Sequence, residues 1–190
     1  SILIPSAVVI TQPSGEAAAR FRGLISFEGH GQAVERQNKD LRQLAEKFGG
    51  RGESHTGRDP MLKGLRSAID RDESAPDLLA LKISVPIGRG PHIYDATSKL
   101  AGEVPLKSTL LAGNGIILLN AFPSSQEAAA RLIARLKEIV QSSGGYMTPL
   151  RAHRNLLVHW GWRVEPTLHR LVLQPIKEKL DPTGVFPPIL

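Results

Sequence analysis

The chain has 190 residues, 41% apolar and 22% charged, a composition ordinary for a globular domain large enough to bury its own core. It contains no cysteine, which excludes disulfides, thiolate metal clusters and cysteine nucleophiles, and no apolar run approaches the ~18–20 residues that cross a bilayer. Its net charge of +6 favours anionic partners, although the basic residues are dispersed.

The opening Ser1-Ile2-Leu3-Ile4-Pro5 lacks the charged start and long apolar core of a signal peptide, and the start without methionine reads as that of a piece of a longer protein. Residues 7–11 (AVVIT) and 23–28 (GLISFE) are short Val- and Ile-rich runs separated by the turn-prone Gln12-Pro13-Ser14-Gly15, which predicts two paired strands. After Gly29-His30-Gly31, the residues Val34, Leu41, Leu44, Ala45 and Phe48 fall on one helical face, and Gly49-Gly50 stops the helix. Residues 59–72 form a candidate short helix, with Asp59 as cap, Pro60 in the first turn, and Met61, Leu65 and Ile69 at four-residue spacing.

A strand is expected over 79–85, then a loop through Gly88-Arg89-Gly90-Pro91 and a helix near 95–100. Strands over 106–112 and 115–121 flank a turn at Gly113-Asn114. The clearest helix is 125–142, where Ala129, Leu132, Ile133, Leu136 and Val140 make one stripe, Glu127 lies in the first turn and Gly144-Gly145 close it before a strand at 146–150. In the tail, Leu168, Leu171 and Val172 suggest a helix, Pro175 kinks or restarts it, and 176–180 complete a last turn ahead of Asp181-Pro182-Thr183-Gly184, which has the residues of a type I turn.

Strand, helix, strand thus occurs twice, each helix ending at a double glycine. This predicts an α+β fold: duplicated ferredoxin-like units forming one antiparallel sheet with helices on one face. We expect one domain over residues 1–190, its tail from 151 helical and wrapped around the rest.

Arg151, His153, Arg154, His159, Trp160 and Arg163 form the one segment where Arg and His crowd together beside aromatics. Most such charges are simply solvated, and Trp160 would suit a core. Six histidines suggest a metal, but His153, His159 and His169 lie six and ten residues apart, not at the spacing that stacks two ligands on a helix face, so no metal is expected. No Gly-x-Ser-x-Gly elbow is present, and Gly88-Arg89-Gly90 lacks the spacing of a dinucleotide fingerprint. Nucleic acid is not expected as a partner, because the candidate central strands offer only Phe27 for stacking bases.

The ending, Ile176-Lys177 followed by Leu180-Asp181-Pro182-Thr183-Gly184-Val185-Phe186, resembles the closing motif of FAD-linked oxidase C-terminal domains. Gly144-Gly145, Arg151 through Leu157 and Trp160-Gly161 resemble the stretch before that motif in glycolate-oxidase FAD-binding subunits, and Phe27-Glu28-Gly29 opening an amphipathic helix also suits the family. Where the family has Asn-Pro-Gly, this chain has Pro187-Pro188-Ile189, so that only Pro188 carries over.

The resemblance implies a substrate-side cap working against a separate FAD-binding domain, which holds the cofactor; the chain alone binds no FAD and is inactive. The implied substrate is a small 2-hydroxy acid, with other oxidase subunits as further partners. The implied location is cytoplasmic, or membrane-associated through those subunits without insertion. Candidate substrate-binding residues are Arg151, His153, Arg154 and Trp160: Arg can clamp a carboxylate with two parallel hydrogen bonds, and His153 or His159 could take the hydroxyl proton. Phe186 and Pro188 are expected to face the cofactor. The alternative is a noncatalytic ferredoxin-like ligand-binding or subunit-assembly module.

Overall fold

The computed structural model describes residues 3–11, 21–57, 66, 78–153, 155–156, 171–172 and 174–185. The chain divides into two compact units, residues 1–152 and 153–190. The candidate helix at 59–72 lies outside the described residues, apart from Arg66.

The first unit is built on a six-stranded sheet: β1 (Ala7–Thr11), β2 (Arg22–Ser26), β3 (Leu79–Ser84), β4 (Leu106–Leu111), β5 (Ile116–Ala121) and β6 (Tyr146–Arg151). Helix α1 (Gly31–Lys47) follows β2, α2 (Gly90–Ser98) joins β3 to β4, and α3 (Gln126–Gln141) joins β5 to β6. Every pairing is antiparallel and the strand order is β2-β1-β4-β5-β3-β6. The fold is α+β, and the succession β3-α2-β4-β5-α3-β6 has the ferredoxin-like arrangement, with β5 between β3 and β4 and β6 outside β3.

The two strand-helix-strand halves therefore lie within residues 79–151, not where the sequence pattern put the first of them. The long helix after Gly31 runs from β2 towards β3, yet those strands are separated by β1, β4 and β5. β2 instead closes a local hairpin with β1, from Ala7 opposite Ser26 to Thr11 opposite Arg22, and this hairpin extends the sheet beyond β4. The true first crossover, α2, is only nine residues long, so its periodic signal is weaker than that of α1.

The core lies on one face of the sheet. Leu79, Leu81 and Ile83 of β3 stand opposite Ala121, Leu119 and Ile117 of β5, all essentially sealed from solvent. Ile93, Tyr94 and Thr97 of α2 and the stripe Ala129, Leu132, Ile133, Leu136 and Val140 of α3 complete the buried layer. Each Leu or Ile so buried contributes about 1.5–3 kcal/mol before entropy is counted. The polar groups in this layer are satisfied: the Tyr94 hydroxyl donates to the Ser108 carbonyl at 3.3 Å, and the Ser98 and Ser108 hydroxyls lie 3.4 Å apart.

Helix α3 is capped at both ends as its sequence requires. The Ser125 hydroxyl accepts the Ala128 N–H at 3.2 Å. Glu127 is held below the ordinary carboxyl pKa by its backbone N–H and by the Ser125 hydroxyl. At the other end Gly144 N–H donates to Gln141 O and Gly145 N–H to Val140 O, both at 3.0 Å, which turns the chain into β6.

Helix α1 forms where expected, but its apolar stripe is not core. Leu44 and Phe48 are exposed, Val34, Leu41 and Ala45 half-buried, and the buried residue is Gln37, whose side chain accepts the Ile4 N–H at 2.7 Å.

In the second unit, α4 (Gln174–Leu180) ends at the expected turn. Gly184 N–H donates to Asp181 O at 3.1 Å, closing it. The Asp181 carboxylate, 6% exposed, accepts from Lys177 Nζ at 2.6 Å and from Val185 N–H at 2.7 Å, so this acid organises the end of the helix and the residues after it.

Candidate functional site

The six strands contain four basic residues, Arg22, Lys82, Lys107 and Arg151, and no Asp or Glu. Side chains opposite one another in a ladder share a face, so the registers decide where these cations point. One line crosses all strands: Arg22, Thr11, Thr109, Leu118, Lys82 and Thr148. The adjacent line is Lys107, Asn120, Ala80 and Arg151. Both alternate with the core positions Leu81 and Leu119, and therefore lie on the face turned away from α2 and α3. All four strand cations are on that face.

On the other flank of the first line runs an apolar one, Leu24, Val9, Leu111 and Ile116, ending in Ser84 and Tyr146. The face is thus polar and cationic over two lines and mostly apolar over the third. Lys82, Lys107, Arg151 and Leu118 are half-buried, while Ala80, Thr109 and Val9 between them are buried.

Arg151 reaches this face through an irregularity. Along β6, Met147, Thr148 and Pro149 oppose Ile83, Lys82 and Leu81, but Arg151 opposes Ala80, so that Leu150 is an extra residue without a partner. Strict alternation from Met147 and Pro149, which share the core face with Ile83 and Leu81, would carry Arg151 to that face too. The bulge at Leu150 restores it to the cationic side. Pro149 is accommodated because β6 is an edge strand.

Of the other residues singled out in the sequence, His153 begins the second unit, is exposed, and accepts the Asn155 N–H on Nδ1 at 3.3 Å. A proton-accepting role at Nδ1 would have to break that bond. Arg154, Trp160, Phe186 and Pro188 lie outside the described residues, as do His159 and Arg163. Lys82, Lys107, Asn120 and Arg22 were not singled out: each is a lone polar residue in its strand, and only the registers assemble them.

Arg151, Lys107 and Thr109 have polar partners of their own. Among the described residues Lys82 makes no ion pair. On this face Lys82, Arg151 and Thr148 are half-buried, whereas Asn120, Thr11, Thr109, Ala80 and Val9 among them are buried, so the chemistry open to a small anion lies with the half-buried groups.

Among the described residues no group of three or more His, Asp or Glu is placed to hold a metal ion, and no helix is long and apolar enough to cross a membrane. No protein-family model matches the chain, and no curated protein is significantly similar to it.

Proposed function

We propose that this chain is the substrate-side cap domain of an FAD-dependent 2-hydroxy-acid dehydrogenase or oxidase of the glycolate type, and that the cationic sheet face is its substrate side. The observation that carries the reading is the segregation of the cations of these six strands, with no acid, on the face opposite α2 and α3. Cations gathered on one face repel one another, and an arriving anion relieves that cost. The carboxy-terminal motif supplies the link to flavin chemistry: the Asp181 turn that opens it is formed, and it ends in Phe186 and Pro188, the residues proposed to face the cofactor.

FAD, held by its own domain, supplies the acceptor for the hydride lost from the substrate α-carbon as the 2-hydroxy acid becomes a 2-oxo acid. The chain's own part is to bind and orient. Arg151 binds the carboxylate, and Thr148, half-buried on the same face, hydrogen-bonds it. The hydroxyl proton passes to solvent. Other oxidase subunits are proposed as partners, with the complex in the cytoplasm or carried to the membrane by them.

The test uses this chain and the complete flavoprotein that carries it. The chain alone should be colourless; the flavoprotein should be yellow and bleach with glycolate or lactate under anaerobic conditions. Arg151→Ala should keep the colour and weaken binding of both acids about 10- to 100-fold, the loss of one charged hydrogen-bonding partner. A complete protein without flavin would overturn the proposal and leave a noncatalytic ligand-binding or assembly module, a role the same face would serve.

A further inference from the structure

The outer edge of β2 is open. Arg22, Gly23 and Ile25 are exposed, Leu24 and Ser26 half-buried, and among the described residues β1 is the strand's one ladder partner. The devices that close a sheet edge are missing there: β2 has no proline and no bulge against β1, and its one charge sits at its first residue. β6, at the opposite edge, has Pro149 and the irregularity at Leu150. The two edges are thus unlike, and only one is fit to receive a strand.

The chemistry of this edge points to its partner. Residues 22–28 read Arg-Gly-Leu-Ile-Ser-Phe-Glu, a cation at one end and an acid at the other, equally far from Ile25. Both charges are exposed, and among the described residues neither side chain has an ion pair. Turned end over end, the segment matches itself. In an antiparallel pair centred on Ile25, Arg22 of each copy faces Glu28 of the other, Leu24 faces Ser26, and Ile25 faces Ile25. Gly23 faces Phe27, and a ring can lie over Gly23 because nothing stands within 4 Å of where its Cβ would be. Moving the axis one residue, to Leu24, would set Arg22 against the neutral Ser26.

We propose that a second copy of this chain adds to β2 in antiparallel fashion, about a two-fold axis at Ile25, so that the sheets of two copies run on through their β2 strands. The contact is isologous and carries the Arg22–Glu28 pair twice. A ladder this short makes a reversible dimer. It lies at the edge away from Arg151 and is independent of the flavin reading.

Sedimentation velocity of the complete protein, from about 1 to about 200 µM, tests the proposal. The mass should double across that range. Arg22→Glu or Glu28→Arg alone, each setting like charges opposite one another, should weaken the dimer at least about 10-fold, and the two together, which restore opposite charges in reversed order, should bring affinity back to within about 3-fold of native. Amide exchange of the native protein needs no variant: in β2 it should slow as concentration rises, while staying faster than in β3. A protein monomeric throughout, a dimer that both single substitutions leave unchanged, a double variant no tighter than the single ones, or β2 exchange indifferent to concentration would each overturn the proposal.

Discussion

At the scale of single residues, Gly115 shows how little freedom the sheet has. It lies at φ +63°, its carbonyl accepts the Val85 N–H at 2.9 Å, and a Cβ there would stand 2.2 Å from the Val85 carbonyl oxygen. Gly115→Ala should therefore cost about 2–4 kcal/mol, combining left-handed strain with a clash against backbone. Gly88→Ala, where nothing lies within 4 Å of the added carbon, should change stability by less than about 1 kcal/mol. Urea unfolding of the two variants checks both values. Features of this local kind were legible in the sequence: the start of the helix at Ser125, the double-glycine stops and the Asp181 turn each depend on a few adjacent residues. The cationic face was not. Lys82, Lys107 and Arg151 are widely separated in sequence, and nothing local reveals that they share a side.

At the scale of elements, the bulge in β6 decides where Arg151 points. Deleting Leu150 should remove the bulge and restore regular alternation, leaving the arginine directly after Pro149, still opposite Ala80 and on the cationic face. The deletion and Leu150→Ala, both of which keep the arginine on that face, should therefore leave reduction within about 2-fold, whereas Arg151→Ala should slow it. Single-turnover bleaching of the three variants checks this. The sequence reading placed β6 within a residue of its end but contained no sign of the bulge, which arises from pairing with β3. The long helix misled for a related reason. Its stripe of Val34, Leu41 and Leu44 has the periodicity of a core helix, yet it stays partly in solvent while the shorter α2 carries the crossover.

At the scale of the whole molecule, β5 and β3 are interior strands fully paired on both sides, while β2 is a terminal strand joined only to β1. Amide hydrogen exchange should rank them accordingly: Leu81, Ile83, Ile117 and Leu119 slowest, opening only with global unfolding, and β2 and the exposed stretches of α1 fastest. Equal protection of β2 and β3 would contradict the observed strand order. The fold class was legible because alternation and helix stops recur along the chain; the strand order was not, since it depends on which distant ladders close. Among the described residues β2 and β6 are the edge strands of this sheet, and an edge is where another chain could add itself. On β6, Pro149 supplies no N–H and Leu150 breaks the ladder beside it, so an incoming strand finds an interrupted template. Pro149 and Leu150 together thus make this edge a poor template for strand addition, which disfavours aggregation through it.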